Sequence, residues 1–179
     1  MREVILYTAA SIDGYIAGPG GNIDWLHDPE FTTPEEDYGY ADFYAGIDTT
    51  LMGNKTYKMI RGFDVPFPYP DKKNYVFSRT AEKSRDEHVQ FIGKDIPGLV
   101  RKLKNSNGKG IWLVGGGEIN ALLLANGLID RLIITLFPVL LGTGIPMFGG
   151  NPGFHKFRLS ENQKLNQHIS QLVFLKAKY

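Results

Sequence analysis

Residues Ile111 to Glu118 read Ile-Trp-Leu-Val-Gly-Gly-Gly-Glu, an apolar run that ends in three consecutive glycines. An apolar run without a helical stripe predicts a buried strand, and the segment from Glu118 to Asn126 predicts the helix that follows it. Three glycines in a row cost roughly 0.5–1 kcal/mol each in conformational entropy relative to alanine. Packing alone rarely demands all three, so the turn predicts a close approach of backbone to a ligand.

The same strand, turn and helix pattern recurs along the chain. Val4 to Ala10 predicts a first buried strand that delivers the chain to Ser11-Ile12-Asp13-Gly14. Thr49 to Met52 predicts a short strand, Gly53 a turn, and Lys55 to Arg61 a short helix. Asn74 to Phe77 and Val89 to Ile92 predict two more strands, and Ile96 to Leu103 a helix whose Leu99, Val100 and Leu103 share a face. Leu132 to Leu136 predicts a further strand, and Phe157 to Lys178 alternates enough to be an antiparallel hairpin. Thr33, Pro34, Glu35, Glu36 and Asp37 together form a helix start, which predicts a helix reaching about Ala45.

Two stretches resist these patterns. Asp13 to Leu26 holds Gly14, Gly18, Gly20 and Gly21, yet Ile16, Ile23, Trp25 and Leu26 are too apolar for idle solvent. That pairing predicts a loop that closes over something. Asp64 to Asp71, with Pro66, Pro68 and Pro70, predicts an extended surface loop. Strands alternating with helices imply an α/β fold, a mainly parallel sheet covered on both faces, with the terminal hairpin as an antiparallel edge. No repeat or linker divides the 179 residues, so one domain over 1–179 is expected.

Charge and composition narrow the function. Twenty Lys and Arg face nineteen Asp and Glu, both signs scattered, which weighs against nucleic-acid binding. The absence of cysteine removes disulfides, thiolate nucleophiles and zinc-thiolate sites. Apolar runs such as Ile133 to Leu141 are about half of the ~20 residues that cross a bilayer, so no membrane partner and a cytoplasmic setting are expected. His27, His88, His155 and His168 show no metal-ligand spacing, and no metal is expected.

Three strand ends carry turn chemistry suited to anions: Gly53-Asn54-Lys55-Thr56, Ser78-Arg79-Thr80 and Gly115-Gly116-Gly117-Glu118. In an open α/β sheet the ligand crevice lies at the carboxyl ends of strands, where these turns can converge. Helix N-termini without a Cβ in the way attract phosphate, Lys55 and Arg79 add charge, and the hydroxyls add donors. Neither standard nucleotide motif is present, since Asn120 stands where a third spaced glycine would be.

With these marks in hand, the chain resembles the dihydrofolate reductase superfamily, most closely the stand-alone relatives of the reductase domain of bifunctional riboflavin-biosynthesis proteins. The resemblance rests on Ala10 to Ala17, Met52 to Tyr57, Val76 to Thr80, Val114 to Glu118 and Phe137 to Gly144, in family order over nearly the whole chain. It implies a central eight-stranded sheet flanked by helices, NADPH as hydride donor, a small heterocyclic substrate, and a homodimer. Ala9, Ser11 and Ile16 would hold the nicotinamide, and Trp25 would sit in the closing loop beside the substrate. Gly53, Lys55 and Thr56 would hold adenine-side phosphates, with Ser78, Arg79 and Thr80 around the 2′-phosphate. Gly115, Gly116, Gly117, Glu118 and Ile119 would take the diphosphate, the first two glycines joined by a cis bond. Asn54 and Tyr15 depart from the family pattern, which often has arginine and a basic residue at those places.

The resemblance also implies one carboxylate early in the first helix that helps protonate the substrate. Asp37, 16 residues before Gly53, has the family spacing, with Glu35, Glu36 and Asp42 as neighbours. Placed in an apolar pocket its pKa would rise, which suits proton donation. The alternative is that these acids cap and solvate the helix. Asp13 likewise either forms the turn with Gly14 or orients the loop and substrate. The activity implied is reduction of a flat heterocycle, nearest to 5-amino-6-(5-phosphoribosylamino)uracil reductase. Dihydrofolate reduction and a non-catalytic NADP(H)-binding protein are the alternatives.

Overall fold

A computed structural model describes residues 1–33, 35–81 and 85–177. Its elements in chain order are β1 (Val4–Ser11), β2 (Tyr15–Ala17), α1 (Tyr40–Ala45), β3 (Ile47–Gly53), α2 (Asn54–Arg61), β4 (Lys73–Phe77) and β5 (Val89–Ile92). They continue as α3 (Ile96–Lys104), β6 (Gly110–Gly115), α4 (Gly117–Ala125), β7 (Arg131–Phe137), β8 (Ile145–Pro146), β9 (Phe157–Lys164) and β10 (Ser170–Lys176). Eight strands form one sheet in the order β5-β4-β3-β6-β1-β7-β10-β9. From β5 to β7 every pairing is parallel, and β10 and β9 add the antiparallel hairpin. The expected architecture is present; Lys178, the expected end of the hairpin, lies outside the described residues.

Strand alternation divides the core in two. On one face Val4, Leu6 and Ala10 of β1 pack with Val100 of α3 and Leu123 of α4. On the other, Met52, Val76 and Trp112 pack with Ile60 of α2, and Phe43 of α1 stacks on Tyr7 with ring centroids 4.1 Å apart. Each fully buried Leu, Val or Ile contributes about 1.5–3 kcal/mol. The second face ends beyond Tyr7: Ile133 and Val173 line an open groove of about 590 Å³ there.

Three local expectations need correction. The helix expected from Thr33 begins only at Tyr40, because Tyr38 and Gly39 take left-handed backbone with φ of 53° and 80°. Pro34, part of that expected start, lies outside the described residues. The Asp13 to Leu26 loop is not free of regular structure, since Tyr15–Ala17 pairs with Ile145–Pro146 in a small second sheet. Asp64 to Asp71 is not wholly a surface loop, because Phe67 and Tyr69 are buried against the second core. Asn74 fastens that loop: its Nδ2 donates to the carbonyls of Tyr69 (2.9 Å), Lys72 (3.0 Å) and His88 (3.0 Å), while its Oδ1 accepts from Thr50.

Candidate active site

The parallel strands bring the expected turns to one edge. Gly53 ends β3 and pairs with Phe77, one residue before Ser78, and Met52 pairs with Gly115 at the end of β6. Both α2 and α4 start at glycines, Gly53 and Gly116, and neither N-terminus carries a side-chain cap. No capping side chain therefore takes up their first-turn N–H groups. The two termini touch: Gly116 N–H donates to Thr56 Oγ1 at 3.0 Å, and a Cβ on Gly53 would stand 3.2 Å from Ile119 Cγ1. Gly115 and Gly116 are joined by a cis peptide bond, as the resemblance implied.

Lys55 Nζ lies 3.0 Å from Glu118 Oε1, with both side chains more than four-fifths exposed. An exposed pair of this kind is worth well under 1 kcal/mol, so an arriving phosphate readily takes Lys55 from Glu118. Ser78 is buried, its Oγ accepting from Thr80 N–H at 3.2 Å, while Arg79 next to it is exposed.

Ser11 is buried at the end of β1, and its hydroxyl is already used, donating to Asp13 Oδ1 at 2.6 Å and accepting from Tyr15 N–H at 3.0 Å. Only its backbone can face a ligand. Ile16 packs against the first core, and Ala9 pairs with Thr135 of β7. Asp13 also accepts from Leu141 N–H at 3.2 Å and Gly142 N–H at 2.7 Å, so it orients the loop against the segment after β7. These bonds, the Ser11 hydroxyl first, hold its carboxyl below the usual range. A depressed carboxyl stabilises the fold above its unfolded pKa and stops doing so as pH falls through the folded value. Asp13→Asn keeps one acceptor and loses the other, so faster hydrogen exchange is expected at Leu141 and Gly142; exchange as slow as in the native chain would refute the clamp.

Trp25 sits edge-on to Phe137 at 5.2 Å, and its buried Nε1 has no partner. Asp37 does not lie in α1. It is exposed and accepts from the N–H groups of Gly39 and Ala41, each at 3.0 Å, which hold its pKa down. That is the capping arrangement, and it reverses the expected burial and raised pKa.

The sequence reading missed a row of side chains that the sheet aligns beside the first strand. Across the sheet, Ala9, Thr135, Gln171 and Gln163 are direct partners in one row. Gln171 Nε2 donates to Thr135 Oγ1 at 3.2 Å. Tyr7, one step back on the same face, has its pKa raised, chiefly by burial; a hydrogen bond with Gln171 opposes the shift and the charge of Asp37 adds to it. Gln163, Gln171 and the Glu35 to Gly39 segment line an open depression of about 390 Å³. No single motif announces it, because its parts come from β9, β10 and a loop more than 120 residues earlier in the chain.

The sequence profile described as RibD C-terminal domain matches residues 69–171. The uncharacterized protein YwjB of Bacillus subtilis (strain 168) is 39% identical over 176 residues, covering 98% of this chain and 99% of that protein. A Shewanella sp. PV-4 protein provisionally named for riboflavin biosynthesis has a crystal structure similar at a TM-score of 0.86, with 28% identity, covering 99% of this chain and all of that one. The Thermotoga maritima diaminohydroxyphosphoribosylaminopyrimidine deaminase/5-amino-6-(5-phosphoribosylamino)uracil reductase shares the fold at a TM-score of 0.72 and 15% identity. That likeness covers 98% of this chain and 57% of the longer one.

Proposed function

This chain belongs to the RibD C-terminal domain family, and on that premise we propose that it is an NADPH-dependent reductase of a flat heterocycle. The observation that carries the cofactor is the meeting of two uncapped helix N-termini, those of α2 and α4, with Lys55 and the Thr56 hydroxyl beside them. That donor set suits a dinucleotide's phosphates. Gly53, Lys55 and Thr56 with Gly115 to Ile119 would hold the phosphate groups, and Ser78, Arg79 and Thr80 the 2′-phosphate. The backbone of Ala9 and Ser11, with Ile16, would bound the nicotinamide, and the buried, unpartnered Nε1 of Trp25 is a donor left for the bound state.

When bound, NADPH supplies the hydride. The protein orients the substrate on the Ala9 to Gln171 row and closes the Asp13 to Leu26 loop over it, which excludes water. By family the nearest activity is that of 5-amino-6-(5-phosphoribosylamino)uracil reductase. Asp37 lines the depression and its charge acts on Tyr7, but as an ionised cap it holds no proton at neutral pH. To donate, it must first be protonated and released from Gly39 and Ala41. That observation favours a second reading, a protein that binds NADP(H) without turnover.

The test is a titration with NADPH and NADH, followed by the fluorescence of Trp25 and Trp112. NADPH should bind at least about tenfold more tightly, and Arg79→Ala should remove most of that preference. Equal loss for both dinucleotides would remove Arg79 from the 2′-phosphate. Cofactor oxidation with pteridines or aminopyrimidines separates the reductase from the silent binder. The family resemblance implies a homodimer, so sedimentation should give about twice the 20.0 kDa chain mass.

A further inference from the structure

Asn120 stands where a dinucleotide motif would have its third glycine, and it is fully buried in the first turn of α4. Its Nδ2 donates to Met147 O at 2.8 Å. Its Oδ1 has no partner and lies against the glycine turn, 3.3 Å from where a Cβ on Gly115 would stand. A leucine would fill the same space without leaving a buried acceptor unpaired, so packing does not account for the amide. What asparagine supplies is the donor to Met147.

Met147 is held from both sides. Its carbonyl accepts from Asn120, and its N–H donates to Gly14 O at 2.9 Å. Gly14 lies at the start of the Asp13 to Leu26 loop, and the same arm of chain, 139–147, takes further bonds from that start. Val139 O accepts from Ile12 N–H at 2.9 Å, the N–H groups of Leu141 and Gly142 donate to Asp13, and Ile145 and Pro146 pair with Ala17 and Tyr15. The two segments run so close that a Cβ on Gly144 would overlap Ala17 O. At its other end the arm is fastened to α4, where Gly149 N–H donates to Gly117 O at 2.9 Å. The loop and the turn at Gly115 to Gly117 are thus joined through one strip of backbone, and Asn120 is the side chain that ties it to α4.

Building on the cofactor reading, we infer that Asn120 is a positioning residue that couples the phosphate-holding turn to the closing loop. Phosphates held at the start of α4 fix the helical turn on which Asn120 stands. Asn120 then fixes Met147, and Met147 fixes the loop at Gly14. The coupling is reciprocal, so a loop settled over the site also tightens the hold on the phosphates.

The probe is adenosine 2′-phosphate 5′-diphosphate, which carries the phosphates of NADPH and lacks the second ribose and nicotinamide proposed to meet the loop. Amide hydrogen exchange is followed by NMR on the full chain, free and saturated with the probe. Gly18 N–H donates to Asn22 O at 2.8 Å inside the loop. Saturation should slow exchange at Gly18 and at Met147 by about fivefold or more. Asn120→Leu keeps the bulk and removes the donor, and Asn120→Asp puts an acceptor in the donor's place. In both variants saturation should change either rate by less than about twofold. Each variant is compared with itself, so a general loss of stability, which speeds exchange in both states, does not mimic the result. Absence of slowing in the native chain overturns the inference whether or not the variants fold, as does slowing that survives both substitutions. A chain that binds NADPH but not the probe overturns it too, because its phosphate turns would then not act alone. A chain that binds neither sinks the reductase reading itself, and this inference with it.

Discussion

Replacing Gly117 by alanine is expected to lower the melting temperature by about 5–10 °C and to weaken NADPH binding at least about tenfold. A Cβ at this position would lie 2.3 Å from the carbonyl oxygen of Pro146 and 3.3 Å from Gly149 N. Neither atom can move alone. Pro146 belongs to β8, which is paired with β2; Gly149 N–H donates to Gly117 O at 2.9 Å; and Asn120 Nδ2 donates to Met147 O at 2.8 Å. To admit one methyl group, the Ile145 to Gly149 segment must leave the start of α4 or α4 must tilt away from it. Such overpacking costs typically 1–3 kcal/mol, and about 2–4 °C of melting temperature is lost per kcal/mol in a chain of this size. A tilt of α4 also moves the N–H groups of its first turn away from the phosphates they would hold. Gly14→Ala is the control, since its Cβ would meet nothing within 4 Å and only its φ of +81° resists the change. Thermal scans and fluorescence titration of the two variants decide the matter. A Gly117→Ala protein that melts like the native chain and binds NADPH normally would show that α4 and the segment after β8 are not locked together.

What the sequence made legible and what it hid follow one physical division. The two glycine turns could be read because each part is contiguous: a strand, a glycine turn and the first helical turn stand within a few residues of one another, at Gly53 to Thr56 and at Gly115 to Ile119. Local steric and hydrogen-bonding rules act over that range. The row across the sheet could not be read because Ala9, Thr135, Gln171 and Gln163 become neighbours only through strand register. The misplaced start of α1 has a different cause. Thr33 and Asp37 both carry capping chemistry, and the chain uses the second, with Asp37 accepting from Gly39 and Ala41. What favours the later start is tertiary, because Phe43 stacks on Tyr7 and meets Trp112 edge-on at 5.4 Å. Propensity offered two starts, and packing of the aromatic face selected one.

Asp130→Ala should destabilise the chain by about 3 kcal/mol, or about 6–12 °C, and leave NADPH affinity within about twofold of the native value. Asp130 pairs with Lys104, whose side chain is only 8% exposed, and it accepts from Val4 N–H at 2.8 Å. Removing the carboxylate strands two donors at once, a buried ammonium and a backbone N–H at the first residue of β1. The loss therefore exceeds what an exposed ion pair could give. Lys104→Met separates the two effects, because it removes the buried charge while Asp130 still accepts from Val4, so it should cost less. In the double variant the penalty should fall short of the sum of the single ones, the mark of two groups that act as a pair. The distance from the ligand edge gives the experiment its use. Val4 stands at the opposite end of β1 from Ser11, seven residues or about 23 Å away, and the Lys104 pair ties α3 and β7 to that far end. Asp130→Ala then loosens the scaffold without moving the turns at Gly53 and Gly116, whereas Gly117→Ala disturbs both. If Asp130→Ala weakened NADPH binding as much as Gly117→Ala does, the phosphate-binding turns would depend on global stability, and the geometric account of Gly117 would lose its force.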